Sequence, residues 1–93
     1  MPRFFFHVYN GIGFVEDEGG RDLPDIHRAR EEGIKGIRSI MSDEVLKGRI
    51  DLRGRIEIAD ETAALVCTIP FEDAFEITRG TICTVAAPAR NRY

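Results

Sequence analysis

The residue best suited to acid–base chemistry in this 93-residue chain is His7, because an imidazole titrates near neutral pH. It stands between Phe5 and Tyr9 in an apolar run. A catalytic base needs a nucleophile and a third group that orients it, and no pattern around His7 supplies them. The two interpretations are a structural histidine hydrogen-bonded across a sheet and the base of a small hydrolase. We expect the first, and we predict a non-enzymatic protein without catalytic residues.

An acidic segment, Glu16-Asp17-Glu18, followed by Asp22, has the residue types of a divalent-cation site. A calcium loop places its oxygen ligands at alternating positions around a glycine turn and ends on a bidentate glutamate. This segment lacks that spacing, so we interpret it as a charged loop at the end of a strand. The glycines of Gly11-Ile12-Gly13 and Gly19-Gly20 do not match phosphate-binding loops. We therefore predict no metal and no cofactor.

The two cysteines, Cys67 and Cys83, lie in apolar stretches and have neither a CxxC partner nor a nearby histidine. This spacing argues against a zinc site. A disulfide and two reduced thiols are both compatible with the pattern, and we expect reduced, slowly reacting thiols in a cytoplasmic protein. No apolar run is long enough to cross a membrane, and the first residues do not resemble a secretory signal.

Basic residues concentrate in the middle of a chain whose net charge is −3. Residues 28–55 carry eight basic and five acidic side chains. Four of the basic residues form the tightest group: Lys47, Arg49, Arg53 and Arg55. Such a group can bind phosphates, although no aromatic residue lies among them to stack on a base. A nucleic-acid-associated, antitoxin-like protein is therefore our alternative hypothesis.

Alternating and helical patterns predict the elements that position these residues. The run Arg3–Tyr9 is a central strand with two apolar faces, and Asn10-Gly11 predicts a hairpin to a second strand near Phe14–Asp17. Pro24 and Asp25 begin a helix that ends before Gly48 and buries a stripe through Gly33. Residues 53–60 and 64–70 are two further strands, and a short helical turn follows Pro70.

The predicted fold is α+β, with order ββαββ and one main helix packed on one face of an antiparallel sheet. We place a single domain at residues 1–80. Residues 81–93 are a C-terminal extension, with strand character at 81–87 and a loose tail after it.

Several of these blocks resemble a known family. The start Met1-Pro2-Arg3-Phe4-Phe5-Phe6-His7-Val8, the element Leu23-Pro24-Asp25-Ile26 and the element Pro70-Phe71-Glu72-Asp73-Ala74 carry the resemblance, which spans about residues 1–75. The family is an uncharacterised one of short proteins from rhizobia, sphingomonads and related proteobacteria. The resemblance implies a bacterial cytoplasmic setting and no particular chemistry.

We therefore predict a small interaction or regulatory module that acts as a homo-oligomer or accessory partner. One helix covers one face of a four-stranded sheet, and Phe5, His7 and Tyr9 then lie on the other face. A monomer should not expose such an apolar patch. Either residues 82–87 of the same chain or a second copy can cover it, and we favour the second copy.

Overall fold

A computed structural model of the chain describes residues 1–11, 13–78 and 80. Its elements are β1 (Arg3–Tyr9), β2 (Phe14–Val15), β3 (Arg21–Asp22), α1 (Ile26–Leu46), β4 (Arg55–Ala59), β5 (Leu65–Pro70) and a 3-10 turn (Phe71–Ala74). The strands form one antiparallel sheet in the order β2-β1-β4-β5, and β3 also pairs with β1. The predicted α+β fold with one main helix is confirmed. Residues 81–93, with Cys83 and the predicted strand at 81–87, lie outside the described residues.

The second predicted strand, near Phe14–Asp17, is shortened to β2, and the pairing with β1 continues in a further short strand, β3, that the sequence did not predict. Four positions separate Val8 from Phe4 in β1, whereas six separate their partners Val15 and Arg21. Two extra residues are therefore looped out between β2 and β3, and the strand does not continue to Asp17 as the sequence predicted. Such an insertion leaves part of a ladder without its usual partners.

The helix begins where the sequence predicted, at Asp25. The Asp25 side chain accepts a hydrogen bond of 2.9 Å from the Arg28 amide, which satisfies one of the free donors of the first turn. The helix ends at Leu46, two residues before Gly48, whose φ of +81° suits a glycine after a helix end.

The core lies between α1 and one face of the sheet. Its fully buried residues include Ala29 and Ile37 of the helix, Ile58 of β4 and Ile69 of β5. The helix approaches the sheet most closely at Gly33, because a Cβ built there would stand 2.9 Å from Ile69 Cδ1. Gly33 is therefore the close contact point that its position on the apolar stripe predicted.

Alternation along the strands then fixes which residues face away from the helix. Phe6 and Ile58 lie on the helix side, since both approach Gly33. Their neighbours in sequence consequently point to the other side of the sheet. Within the described residues, no helix is sufficiently long and apolar to span a bilayer.

Candidate functional site

The sheet surface opposite the helix brings together the aromatic and polar residues singled out in the sequence. We call it the open face, and the register across the strands defines its members. These are Phe5, His7, Tyr9, Phe14, Arg55, Glu57, Ala59, Leu65, Thr68 and Pro70. They form three rows that run across the strands, and each row has a different chemistry.

One end of the open face is aromatic and carries one arginine. The rings of Tyr9 and Phe14 lie 4.5 Å apart, and the Arg55 guanidinium carbon lies 4.0 Å from the centre of the Tyr9 ring. An arginine over a tyrosine ring is attracted by the negative face of the ring. Arg55 also donates a hydrogen bond of 2.8 Å to Glu57. These contacts place the Phe14 ring and the Arg55 guanidinium against the Tyr9 ring at this end of the face.

The middle row contains His7, Glu57 and Thr68 as cross-strand neighbours. The Nδ1 atom of His7 accepts a hydrogen bond of 3.1 Å from the Asp17 amide. That nitrogen therefore carries no proton in this arrangement, and its lone pair is engaged by the backbone. The histidine thus links β1 to the loop between β2 and β3.

Asp17 closes the gap in the ladder between β2 and β3. Its Oδ2 accepts a hydrogen bond of 3.1 Å from the Phe6 amide, a donor that a continuous strand would have paired with a carbonyl. Its Oδ1 accepts from the amides of Gly19 and Gly20, at 3.2 and 3.1 Å. Burial would raise the pKa of Asp17, but the hydrogen bonds from the three amides lower it below its ordinary value.

The other end of the open face is acidic. A shallow depression of about 420 Å³ beside Phe5 is lined by the carboxylates of Glu16, Asp17, Glu18, Asp60 and Glu61. Hydrogen bonds from the Thr62 hydroxyl and from the amides of Thr62 and Ala64 lower the pKa of Asp60, so this carboxylate stays charged. Among residues 1–11, 13–78 and 80, no three His, Cys, Asp or Glu side chains are grouped so as to hold a metal ion.

The basic group predicted from the sequence is divided among three places. Lys47 and Arg49 lie at the helix end, where both approach Glu44, at 3.9 and 3.7 Å. Arg53 bonds to Asp51 at 2.8 Å, and only Arg55 reaches the open face.

Each of these four cations thus has a carboxylate beside it. The hydrogen bonds from the Arg53 side chain and amide lower the pKa of Asp51 to about 2, so this carboxylate remains charged at any physiological pH. Paired cations offer phosphates less net charge than the sequence suggested. The nucleic-acid hypothesis stays a prediction, and this pairing weighs against it.

Neither Phe14 nor Asp17 was connected with the open face from the sequence alone. Phe14 was assigned only to a strand, although the Asn10-Gly11 hairpin fixes it opposite Tyr9. Asp17 was interpreted as part of a charged loop at the end of a strand, and no sequence pattern marks a carboxylate that replaces a strand partner. Cys67, by contrast, is a half-buried thiol that packs against the core, and its reduced state stays a prediction.

Comparison with known proteins gives one match. A family model described as a domain of unknown function (DUF6894) matches residues 3–72, which include the helix and all five strands. The resemblance to an uncharacterised family is thereby confirmed. No curated protein and no solved structure matches the chain.

Proposed function

The chain belongs to the DUF6894 family of unknown function, and we propose that it is a non-enzymatic interaction module that self-associates through its open face. The observation that carries the proposal is the make-up of this face. Apolar side chains of β1 lie on both sides of the sheet, while the single helix covers only one of them. A sheet face of this composition favours contact with another apolar surface.

Exposure supports a contact surface at both margins of the open face. Phe14 is 49% exposed at one margin, and Leu65 is 57% exposed at the other. Between them, Phe5 and Tyr9 are half-buried. Aromatic residues with a polar surround are enriched in the centres of protein interfaces.

Charge supports a second copy of this chain as the partner. The open face carries a single arginine, Arg55, beside Glu57 at one end and a cluster of acidic side chains at the Glu61 end. A two-fold axis that runs across the strands, at the level of His7, lays the Arg55 end of one copy over the acidic end of the other. Two copies can therefore bring opposite charges together, while the aromatic and aliphatic side chains of the two end rows add apolar contact.

The proposal includes a cytoplasmic setting. The free thiol of Cys67 is compatible with a reducing compartment. His7, engaged by the Asp17 amide, then contributes to the shape of the interface instead of acting as a base.

Sedimentation of the unmodified chain and of a double variant tests the proposal. Phe5→Glu combined with Tyr9→Lys replaces an aromatic side chain by a charged one at each end of the open face. We therefore expect the unmodified chain to be a dimer and the double variant to be a monomer. Circular dichroism checks that the variant is folded. If the double variant unfolds, Phe14→Glu replaces it, because this side chain is already half exposed.

A matched control is Val45→Glu, since Val45 is 51% exposed on the helix, away from the open face. We expect this control to remain dimeric. An unmodified chain that sediments as a monomer throughout the micromolar range contradicts the proposal.

A further inference from the structure

The helix is longer than the sheet beneath it. Its 21 residues span about 32 Å at 1.5 Å per residue. The seven residues of β1, the longest described strand, span about 23 Å. The last helical turn carries the apolar residues Val45 and Leu46, which are 51% and 83% exposed.

A groove lies beside this last turn, and the chain after β5 forms its second wall. Arg38 Nε donates a hydrogen bond of 2.8 Å to the carbonyl of Ala74, which fixes the 3-10 turn to the helix. Residues 75–78 then line the groove together with Ile50 and Leu52. The groove has a volume of about 570 Å³. That is space for several aliphatic side chains, since pockets of this size hold small ligands.

We propose that residues 81–87 of the same chain occupy this groove. The wall that ends at Thr78 brings the chain to the edge of the groove three residues before this segment begins. The segment, Thr-Ile-Cys-Thr-Val-Ala-Ala, carries no charge and contains four aliphatic residues. Fully extended, its seven residues reach about 24 Å, which is enough to follow the exposed last turns of the helix.

Proximity favours this segment over the same segment of a second copy. A short connection holds a tethered segment at an effective concentration in the millimolar range. Another copy at micromolar concentration therefore competes poorly for the groove. The family match ends at residue 72, so the second wall and its occupant both belong to the part of this chain beyond the matched region.

The inference does not depend on self-association. If residues 81–87 lie at the helix end, they do not cover the open face, which is then available to a partner. Leu46 and Ile50 are 83% and 70% exposed in the described part of the chain. Occupation of the groove should bury both side chains, and this removal of apolar surface from water stabilises the occupied state.

Limited proteolysis of the full chain tests the inference. Thermolysin cleaves before aliphatic residues, and mass spectrometry reports cleavage before Ile82 and Val85. We expect Leu46→Glu combined with Ile50→Glu to raise this cleavage rate at least about tenfold, because protection follows the population in which the segment is detached. Both positions are exposed, so the variant should fold. Val15→Glu, at a position 61% exposed on β2, is the matched control and should leave the rate unchanged.

Three results would overturn the inference. Cleavage of residues 81–87 at one common rate in all three proteins would show that the segment is not in the groove. Protection that increases with protein concentration would assign the groove to the segment of a second copy. Binding of an apolar dye to the unmodified chain that Leu46→Glu abolishes would show an open groove. None of these results depends on whether the open face forms a dimer.

Discussion

At the residue scale, Asp17 is the side chain on which the second strand depends. Its carboxylate accepts hydrogen bonds from three backbone amides, those of Phe6, Gly19 and Gly20. The amide of Gly20 reaches it because this residue has a φ of +71°, a conformation that favours glycine. One acidic residue thereby replaces the ladder partner of the Phe6 amide in β1 and also fixes the looped-out segment.

Substitution of this carboxylate should lower stability in a pH-dependent way. We expect Asp17→Asn to reduce the free energy of unfolding by about 1–2 kcal/mol at neutral pH, since an amide offers one acceptor oxygen where the carboxylate offers two. The pKa of folded Asp17 lies below its ordinary value, which is about 3.9. The contribution is therefore complete above that value and is lost as the pH falls through the folded-state pKa.

Urea unfolding of both proteins between neutral and acidic pH measures this difference. Glu18→Gln is the matched control, because Glu18 is exposed in the same loop, and it should change the midpoint little. A gap between Asp17→Asn and the unmodified chain that stays constant down to the lowest pH would argue against the assigned role.

At the element scale, Gly33 and Gly36 of the helix differ in the space that is available for a side chain. A Cβ at Gly33 would stand 2.9 Å from Ile69 Cδ1, whereas a Cβ at Gly36 would meet Ile56 Cδ1 at an ordinary 3.8 Å. Ile69 is fully buried, so it has little room to yield. The contact distance therefore separates a glycine that packing requires from one that it does not.

The two alanine substitutions should consequently have opposite effects. Gly36→Ala should raise the free energy of unfolding by about 0.5–1 kcal/mol, because alanine has the higher helix propensity. Gly33→Ala gains the same propensity, but overpacking against Ile69 costs about 1–3 kcal/mol, so we expect net destabilisation. Urea unfolding midpoints of the two variants, compared with that of the unmodified chain, measure these changes in stability. A Gly33→Ala variant that is more stable than the unmodified chain would show that the helix can move away from the sheet.

The sequence predicted the helix and β1 well because each follows a local rule. Asp25 is a preferred N-cap residue, and Gly33 lies on the apolar stripe at helical spacing. The shortening of the second strand was not predictable in the same way. It depends on the contact of Asp17 with Phe6, eleven residues away in the chain, and no period in the sequence encodes such a contact.

At the scale of the whole molecule, charge is arranged in pairs, and the sequence held part of that information. Arg53 and Arg55 each bond to an acidic residue two positions away, Asp51 and Glu57. These neighbours were visible in the sequence, but their side chains are directed toward one another only in the folded chain. The acidic end of the open face was less visible, because Glu16–Glu18 and Asp60-Glu61 come together across the sheet.

Arg55 at one end of the open face and the acidic cluster at the other end give the last prediction. If two copies pair about an axis across the strands, Arg55→Glu places acid over acid and should weaken the dimer about tenfold, or about 1.4 kcal/mol. Adding Glu61→Arg restores an opposite pair and should recover most of the affinity. Arg30→Glu, on an exposed position of the helix, makes the same change in net charge away from the face and should weaken the dimer little. Sedimentation equilibrium at moderate salt measures all four proteins. Equal weakening by Arg55→Glu and Arg30→Glu, or no recovery in the double variant, would show that the two ends do not meet and that any dimer is held by the aromatic rows in another orientation.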